Sequence, residues 1–275
     1  MLDGTALKDA YDRDGYAFPF RAMSADQARA ARAKLEAHEA ATGGPLQAKW
    51  RHQTHLLFTW VDEITRSPAV LDRVEDVIGP DILVWGAGFF IKEPNTPDFV
   101  SWHQDATYWG LEPHDQIITA WVALSDVPVA SGAMKFLAGS HKTGLAEHDD
   151  TFHENNLLSR GQEIAVDVDE AQATNVVLKA GEFSLHHVLL AHGSHPNATD
   201  DRRIGLAIRY IPTSVRQTKL RDIAVLVRGE DRYGHFDLLD PPKADLDEQA
   251  LANHADSSER LRRALYDGSD QDFRP

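Results

Sequence analysis

His103 and Asp105, in the stretch Ser101-Trp102-His103-Gln104-Asp105, carry the first chemical signal in this chain. Side chains at i and i+2 of an extended segment share a face, so an imidazole and a carboxylate at this spacing can converge on one point. They would supply two of the three protein ligands of a 2-His-1-carboxylate site, the arrangement that holds non-haem Fe(II) with coordination positions left open. The remaining ligand must be a distant histidine on a neighbouring strand. The segment GEFSLHHVLLAHGS, residues 181–194, offers His186, His187 and His192. Read as one strand from Phe183 to His192, it puts His186, Val188, Leu190 and His192 on one face and His187 on the other. His192 then stands at the strand's end, before Gly193-Ser194, where a side chain reaches the mouth of a barrel. His186 and His187 read as packing or supporting histidines. His195 falls where Gly193 and Pro196 have already ended the strand.

Eleven residues after His192, Arg203 opens the strand IGLAIRY. A metal near one strand end and an arginine at the start of the next suit a bidentate acid. One end of that acid would chelate the iron, and the guanidinium would fork onto its far carboxylate.

Elements that could position these groups are visible along the chain. Ser24 and Gln27 form a capping-box pattern ahead of a run of good helix formers, and Gly43-Gly44-Pro45 stops it. Tyr16, Phe18 and Phe20 alternate as a short strand before it. Val70, Leu71, Val74, Val77 and Ile78 recur at helical spacing, predicting a helix over Pro68 to Ile78 ended by Gly79-Pro80. From Asp81 the pattern turns to β. Strands are predicted over Ile82 to Lys92, Ile117 to Val127, Ala133 to Leu137 and Ile204 to Ile211, with weaker ones over Ile164 to Val168 and Asn175 to Leu178. One further helix is predicted from Glu248 to Tyr266, packing outside the core. Short strands with Gly, Pro and Asp between them indicate a sandwich or jelly roll. The expected organisation is a single domain over 1–275: a helical part over 1–80, a β core over 81–212 and a C-terminal extension over 213–275.

Composition narrows the partners. The 28 basic against 43 acidic residues give a net charge of −15, which disfavours nucleic acid and anionic membranes. No cysteine is present, so thiolate chemistry, disulfides and Cys-ligated metals are excluded, and a metal must be held by His, Asp or Glu. The longest apolar run, Ile82 to Ile91, is about half of what a helix needs to span a bilayer. With no basic and apolar leader at the N-terminus, the expectation is a soluble, cytoplasmic protein acting on a small molecule. The oligomeric state is not legible.

His103-Gln104-Asp105, Trp121, GAMKFLAGSH over 132–141, FSLHHVLLAHGSHPN over 183–197 and Arg202-Arg203, in this order and spacing, resemble the phytanoyl-CoA dioxygenase family of Fe(II)/2-oxoglutarate oxygenases. The resemblance covers roughly Ile82 to Tyr210. It implies a mainly β, double-stranded β-helix (jelly roll, cupin-like) with N-terminal and peripheral helices. It implies iron ligands His103, Asp105 and His192. Arg203 would pair with the C5 carboxylate of 2-oxoglutarate, Ser194 would lend a hydroxyl, and Trp121 would lie beside the cosubstrate. The implied activity is that of a dioxygenase with Fe(II), 2-oxoglutarate and O2, hydroxylating an unactivated C–H bond as 2-oxoglutarate becomes succinate. Halogenating relatives lack the carboxylate ligand; Asp105 is present, which points to hydroxylation.

For the substrate, Arg209 shares its strand face with Arg203, Gly205 and Ala207, a second buried cation suited either to an anionic head group or to a structural salt bridge. Tyr108 and Trp109, with Trp102 and Trp85, are either core or a cage for an ammonium group. An aminophosphonate, an amino-acid-like compound or a secondary metabolite would suit such a pair of poles. The competing function is a cupin-like metal-binding protein or an inactive β-sandwich that binds ligands. That reading gives Arg203 no task.

Overall fold

The computed structural model describes residues 4–165 and 168–266. Five helices are present among them: α1 (Gly4–Asp14), α2 (Ala25–Thr42), α3 (Thr59–Thr65), α4 (Pro68–Ile78) and α5 (Glu248–Leu265). The strands that build the two main sheets are β1 (Tyr16–Arg21), β2 (Ile82–Lys92), β3 (Val100–His103), β4 (Ile118–Ala123), β5 (Met134–Phe136), β6 (Thr174–Asn175), β7 (Glu182–His187), β8 (His192–Ser194), β9 (Arg203–Pro212), β10 (Ile223–Arg228) and β11 (Asp237–Leu238). The larger sheet has the order β1-β7-β4-β9-β2-β10-β11 and the smaller the order β3-β8-β5-β6. Every pairing is antiparallel except β10 with β11. Two sheets with their inner faces opposed are the expected mainly β, jelly-roll architecture with peripheral helices.

The larger sheet is buried on both faces, and pleat alternation sorts its residues. Ile204, Leu206, Ile208 and Tyr210 of β9 join Ile118, Ala120 and Val122 of β4 in a core with Leu35, Trp60 and Val74 of the helical layer. The intervening residues Trp121, Ala123 and Ala207 pack instead with Met134 and Phe136 of the smaller sheet. Arg203 and Arg209 have the parity of Ala207 and share that inner face.

Helix α2 follows its sequence signals. Ser24 accepts from the Gln27 backbone N–H, the Gln27 side chain returns to the Ser24 N–H, and Gly43 closes the helix at φ 77°, a left-handed geometry that glycine adopts without strain. Its buried residues Ala28, Ala31, Leu35 and Glu39 form one stripe. Glu39 and Glu93 both take the Arg202 guanidinium, at 2.7 and 2.8 Å, which ties α2 to the start of β9.

Several expectations need correction. Helices α1 and α3 gave no clear sequence signal, because α1 buries only Leu7 and Tyr11 and α3 is seven residues long. The expected strand Phe183 to His192 is two strands, β7 and β8, in different sheets; the chain turns through Val188, Leu189 and Leu190 to cross between them. His192 therefore opens a strand instead of ending one. The region after residue 212 is more than an extension, since β10 pairs with β2 inside the larger sheet. The strand expected over Ile164 to Val168 is found at Gln162–Ile164, and residues 166–167 lie outside the described residues.

Replacing Ser24 by Ala is expected to lower stability by about 1 kcal/mol through loss of the capping box. Chemical denaturation should show a lower midpoint with an unchanged slope, and no change in metal affinity.

Candidate active site

His103 and His192 face one another on a single rung of the antiparallel β3–β8 ladder, and their ring centroids are 4.1 Å apart. The register shifts beside this rung, so β3 carries an extra residue between Val100 and His103, a local bulge that re-aims the end of the strand. Both rings are fixed by the same device. Nδ1 of His103 lies 2.9 Å from the Ser101 carbonyl, and Nδ1 of His192 lies 2.9 Å from the Leu190 carbonyl. A carbonyl only accepts, so each Nδ1 carries the proton and each Nε2 keeps its lone pair for a shared point.

Asp105 reaches that point by a different route from the one its spacing suggested. Strand β3 ends at His103, and Asp105 stands in the turn that follows. The turn is held by Gln104, which donates to the carbonyls of Gly144 and Leu189 at 2.9 and 2.7 Å and accepts from the Ala146 N–H at 2.7 Å. With Gln104 drawn outward, Asp105 turns inward. Thr119 of β4 donates to its Oδ2 at 3.1 Å, and its Oδ1 is 3.5 Å from His103 Nε2. Ligand atoms of His103, Asp105 and His192 all lie within 4.8 Å of one another, and the three residues are buried. Burial pushes the Asp105 carboxyl up, but the surrounding histidines outweigh it and hold the group well below the usual carboxylate range. Burial, with His103 beside it, drives His192 well below the ordinary imidazole value and keeps it neutral.

His186 is closer to this cluster than a packing residue would be. Its Nε2 is 3.5 Å from Asp105 Oδ2, its ring is 4.8 Å from that of His192, and both ring nitrogens are buried without a partner. The alternation that put His186 and His192 on one face of one strand does not apply across the turn. They meet because β7 and β8 belong to opposed sheets. His187 instead faces Tyr11 and His141, away from the cluster.

Arg203 occupies one end of the same cavity, whose volume is about 400 Å³ including its mouth. It is almost wholly buried and gives one hydrogen bond, from Nη1 to the Gly132 carbonyl at 3.2 Å, while Nε and Nη2 have no partner. Trp121 lies beneath the guanidinium at 5.3 Å. Gly205 permits this stacking: a Cβ there would stand 1.8 Å from the indole ring. Ser194 also lines the cavity. Sequence reasoning missed Lys92, the cross-strand partner of Arg203, whose Nζ donates to Ser194 Oγ at 2.7 Å and to the carbonyls of Ser194 and His195. Its only sequence signal is a lysine closing an apolar strand. Burial, then the neighbouring Arg203, pulls its ammonium down to about 6.

Arg209 and Trp109 are brought together, and Tyr108 is directed away from them. Arg209 and Trp109 border a second chamber that shares Phe90, Asp105 and Arg209 with the first cavity. Tyr108 is committed elsewhere: its hydroxyl donates to Asp150 at 2.8 Å and the Arg160 guanidinium lies 3.8 Å over its ring. The salt bridge considered for Arg209 is not among the ion pairs of the described residues. The C-terminal helix also departs from expectation, because Leu261 and Leu265 of α5 form part of the chamber wall.

The residues present fit a divalent metal and a dianionic cosubstrate. Two buried imidazoles and an ionised carboxylate bring their ligand atoms within 4.8 Å of one another, and a buried arginine with unused donors lines the same cavity. The family model for phytanoyl-CoA dioxygenase (PhyH) matches residues 11–205. The chain belongs to the phytanoyl-CoA dioxygenase family. A solved structure of a non-heme monooxygenase, ThoJ in its apo form, is 37% identical, with a TM-score of 0.85 over 94% of this chain and 97% of that one. The nickel complex of ThoJ is 34% identical, with a TM-score of 0.81 over 94% and 98%. A probable alpha-ketoglutarate-dependent hypophosphite dioxygenase of Stutzerimonas stutzeri is 32% identical over 57% of this chain and 54% of its own length. The peroxisomal phytanoyl-CoA dioxygenase of Rattus norvegicus is 28% identical over 63% and 54%. The chain thus spans about half the length of the curated relatives it matches. CytC3 with Fe(II) and alpha-ketoglutarate, at 22% identity and a TM-score of 0.63 over 87% of this chain and 93% of that one, shares the fold. Family membership accords with Fe(II) and 2-oxoglutarate as the cofactors. Among the described residues no helix is long and apolar enough to cross a membrane.

Gly205→Ala is the sharpest test of the Trp121–Arg203 stack. Both neighbouring strands hold the position, so the indole must move. A loss of about 1–3 kcal/mol is expected from overpacking, with a changed tryptophan emission spectrum in the folded protein. An unchanged spectrum and stability would show that the stack is absent.

Proposed function

We propose that this protein is an Fe(II)/2-oxoglutarate-dependent dioxygenase that hydroxylates a small molecule, with His103, Asp105 and His192 as the metal ligands. The observation that carries the reading is the buried three-residue cluster whose ligand atoms lie within 4.8 Å of one another, set in a cavity also lined by a buried arginine with unused donors. Bound together, iron and 2-oxoglutarate supply what side chains cannot, the oxidation of a C–H bond by O2 with release of succinate and CO2.

Each side chain then has a definable task. The Nε2 atoms of His103 and His192 and one oxygen of Asp105 hold the metal. Thr119 holds the other Asp105 oxygen and so sets the plane of the carboxylate. Arg203 takes the far carboxylate of the cosubstrate with the donors that have no protein partner, and Ser194, itself oriented by Lys92, adds a hydroxyl. Trp121 supports the guanidinium from below. Phe136, whose ring lies against those of His186 and His192, would exclude water from that side of the cluster. Trp109 and Arg209 border the substrate chamber; Tyr108 supports its rim through Asp150 and Arg160. The small-molecule substrate enters from that chamber. A metal-binding protein without cosubstrate is the second reading, and it leaves Arg203 buried without a counter-ion.

Asp105→Ala is expected to leave a folded protein with much weaker iron binding and nearly complete loss of 2-oxoglutarate turnover. Iron content and succinate release, measured on the same preparation, check this; normal values for both would refute the assignment. His192→Ala should likewise abolish metal binding, whereas His186→Ala should spare it.

Arg203→Ala should raise the 2-oxoglutarate requirement with iron binding nearly intact. Loss of one partner of a desolvated charge pair costs about 2–5 kcal/mol, or roughly 30- to several-thousand-fold in affinity. Arg202→Ala is the control: its side chain holds Glu39 and Glu93, so it should reduce stability and leave cosubstrate affinity alone. Equal effects on 2-oxoglutarate at both positions would show that the arginine is misassigned.

A further inference from the structure

The chamber beside the candidate metal site contains a cation, Arg209, that forms no ion pair among the described residues, although Asp105 on the same wall attracts it from beyond ion-pair distance. Arg209 presents a guanidinium with five N–H donors. One is used, in a long contact of 3.4 Å from Nη1 to the Ala207 carbonyl, and Nε is buried with no partner. No carboxylate forms an ion pair with it among the described residues, in a chain whose net charge is −15. Most of the other arginines use that surplus: Arg202 holds three carboxylates, and Arg228 and Arg260 hold two each. A buried guanidinium left with spare donors is costly unless a ligand takes them.

The surroundings orient this cation without neutralising it. Phe90 and Trp109 each place a ring centroid 5.6 Å from the guanidinium carbon. Gly88 lies beside it, where a Cβ would be in ordinary contact with Nη1 at 3.5 Å but would crowd the Arg51 carbonyl at 2.8 Å. His52, on the same chamber wall, is drawn down to about 4 by burial and then by Arg209 and Arg51, so it stays neutral. The wall also carries Gln53, Asp105, Ser159 and Gln162, and its apolar part is formed by Leu157 and Leu158 together with Leu261 and Leu265 of α5.

The cosubstrate cannot be the missing anion once it is held by Arg203. Arg203 and Arg209 lie six residues apart on β9, on the order of 20 Å of strand. A five-carbon diacid chelated between them reaches only one. Both side chains line one cavity with the histidine–aspartate cluster among its residues, which leaves the Arg209 end for another molecule.

The geometry points to a primary substrate that carries an anionic head group, a carboxylate or a phosphorus oxyanion, seated on Arg209, with an apolar body lying between the 157–158 loop and helix α5. This assignment rests on the functional reading above, because it takes the chamber to be the substrate's. Arg209 is then the specificity-determining residue and α5 the wall that selects the body of the molecule. An enzyme of this kind receives its substrate from a reaction that leaves the acid free and not masked as an ester or amide.

Binding to the metal-free, full-length protein tests the inference separately from catalysis. Trp85 and Trp109 border the chamber, so quenching of tryptophan fluorescence reports occupancy. The probes are 4-phenylbutyrate, 3-phenylpropylphosphonate, 4-phenylbutyramide and 4-phenylbutylamine. At least one anion is expected to bind about tenfold to a hundredfold more tightly than the amide, and the amine more weakly still. The two anions separate a carboxylate site from a phosphonate site. Arg209→Gln should abolish the preference and Arg209→Lys should restore part of it. Leu261→Trp should weaken all four probes together. Fe(II)-dependent succinate formation from 2-oxoglutarate alone is measured alongside on the wild-type protein. If the wild-type protein forms no succinate, the dioxygenase reading fails while the anion preference still stands or falls by fluorescence. The inference is overturned if the anions bind no better than the amide, or not at all. It is also overturned if the preference survives Arg209→Gln, or if that variant instead loses iron or 2-oxoglutarate affinity, which would make Arg209 an electrostatic partner of Asp105.

Discussion

Two buried imidazoles set 4.1 Å apart on one rung of a β-ladder, with a carboxylate beside them, form the constraint around which the molecule is arranged. Three buried metal-ligating groups are costly to desolvate unless each is fixed and each is used. The fold fixes them by local means: a carbonyl two residues back holds each histidine, and a threonine from the opposite sheet holds the aspartate. On the proposed reading a metal ion would be their common partner.

Charge is distributed around this centre by the pleat of the larger sheet. Alternate residues of β9 serve different layers, so Ile204, Leu206 and Ile208 pack against helices while Arg203, Ala207 and Arg209 face the cavity. One strand thus contributes to the hydrophobic core and holds a guanidinium near each end of the cavity. Arg203 places positive charge at this end of the cavity inside a strongly acidic protein, and burial, then Arg203 itself, pulls the ammonium of Lys92, its partner across β2 and β9, down to about 6. Net charge describes the exterior here and says little about the interior.

The peripheral elements are not passive. Helix α2, held through Glu39 and Arg202, buttresses the start of β9, beside Arg203. Helix α5 contributes Leu261 and Leu265 to the chamber and is fastened by hydrogen bonds from Arg160 and Lys219 to its last carbonyls. A cation at a helix C-terminus satisfies orphan carbonyls and complements the helix dipole. Two such contacts where the helix closes the chamber make its position part of the cavity's shape.

The sequence alone determined the ligand types, their order along the chain, the capped helix α2 and most of the strands, because caps and two-residue alternation are local properties. It also singled out Arg203, whose placement at the start of an apolar strand is likewise local. Tertiary structure decided the rest. The run from His186 to His192 reads as one alternating strand, yet it turns between sheets, and only the opposition of those sheets brings the two histidines together. Asp105 meets His103 through a turn anchored by Gln104 to residues about 40 and 85 positions away, which no local pattern encodes. Tyr108 and Trp109 are adjacent in sequence but separate in space, one tied to Asp150 and the other facing the chamber. Whether a buried cation has a counter-ion is a question of long-range packing, and for Arg209 the packing supplies none.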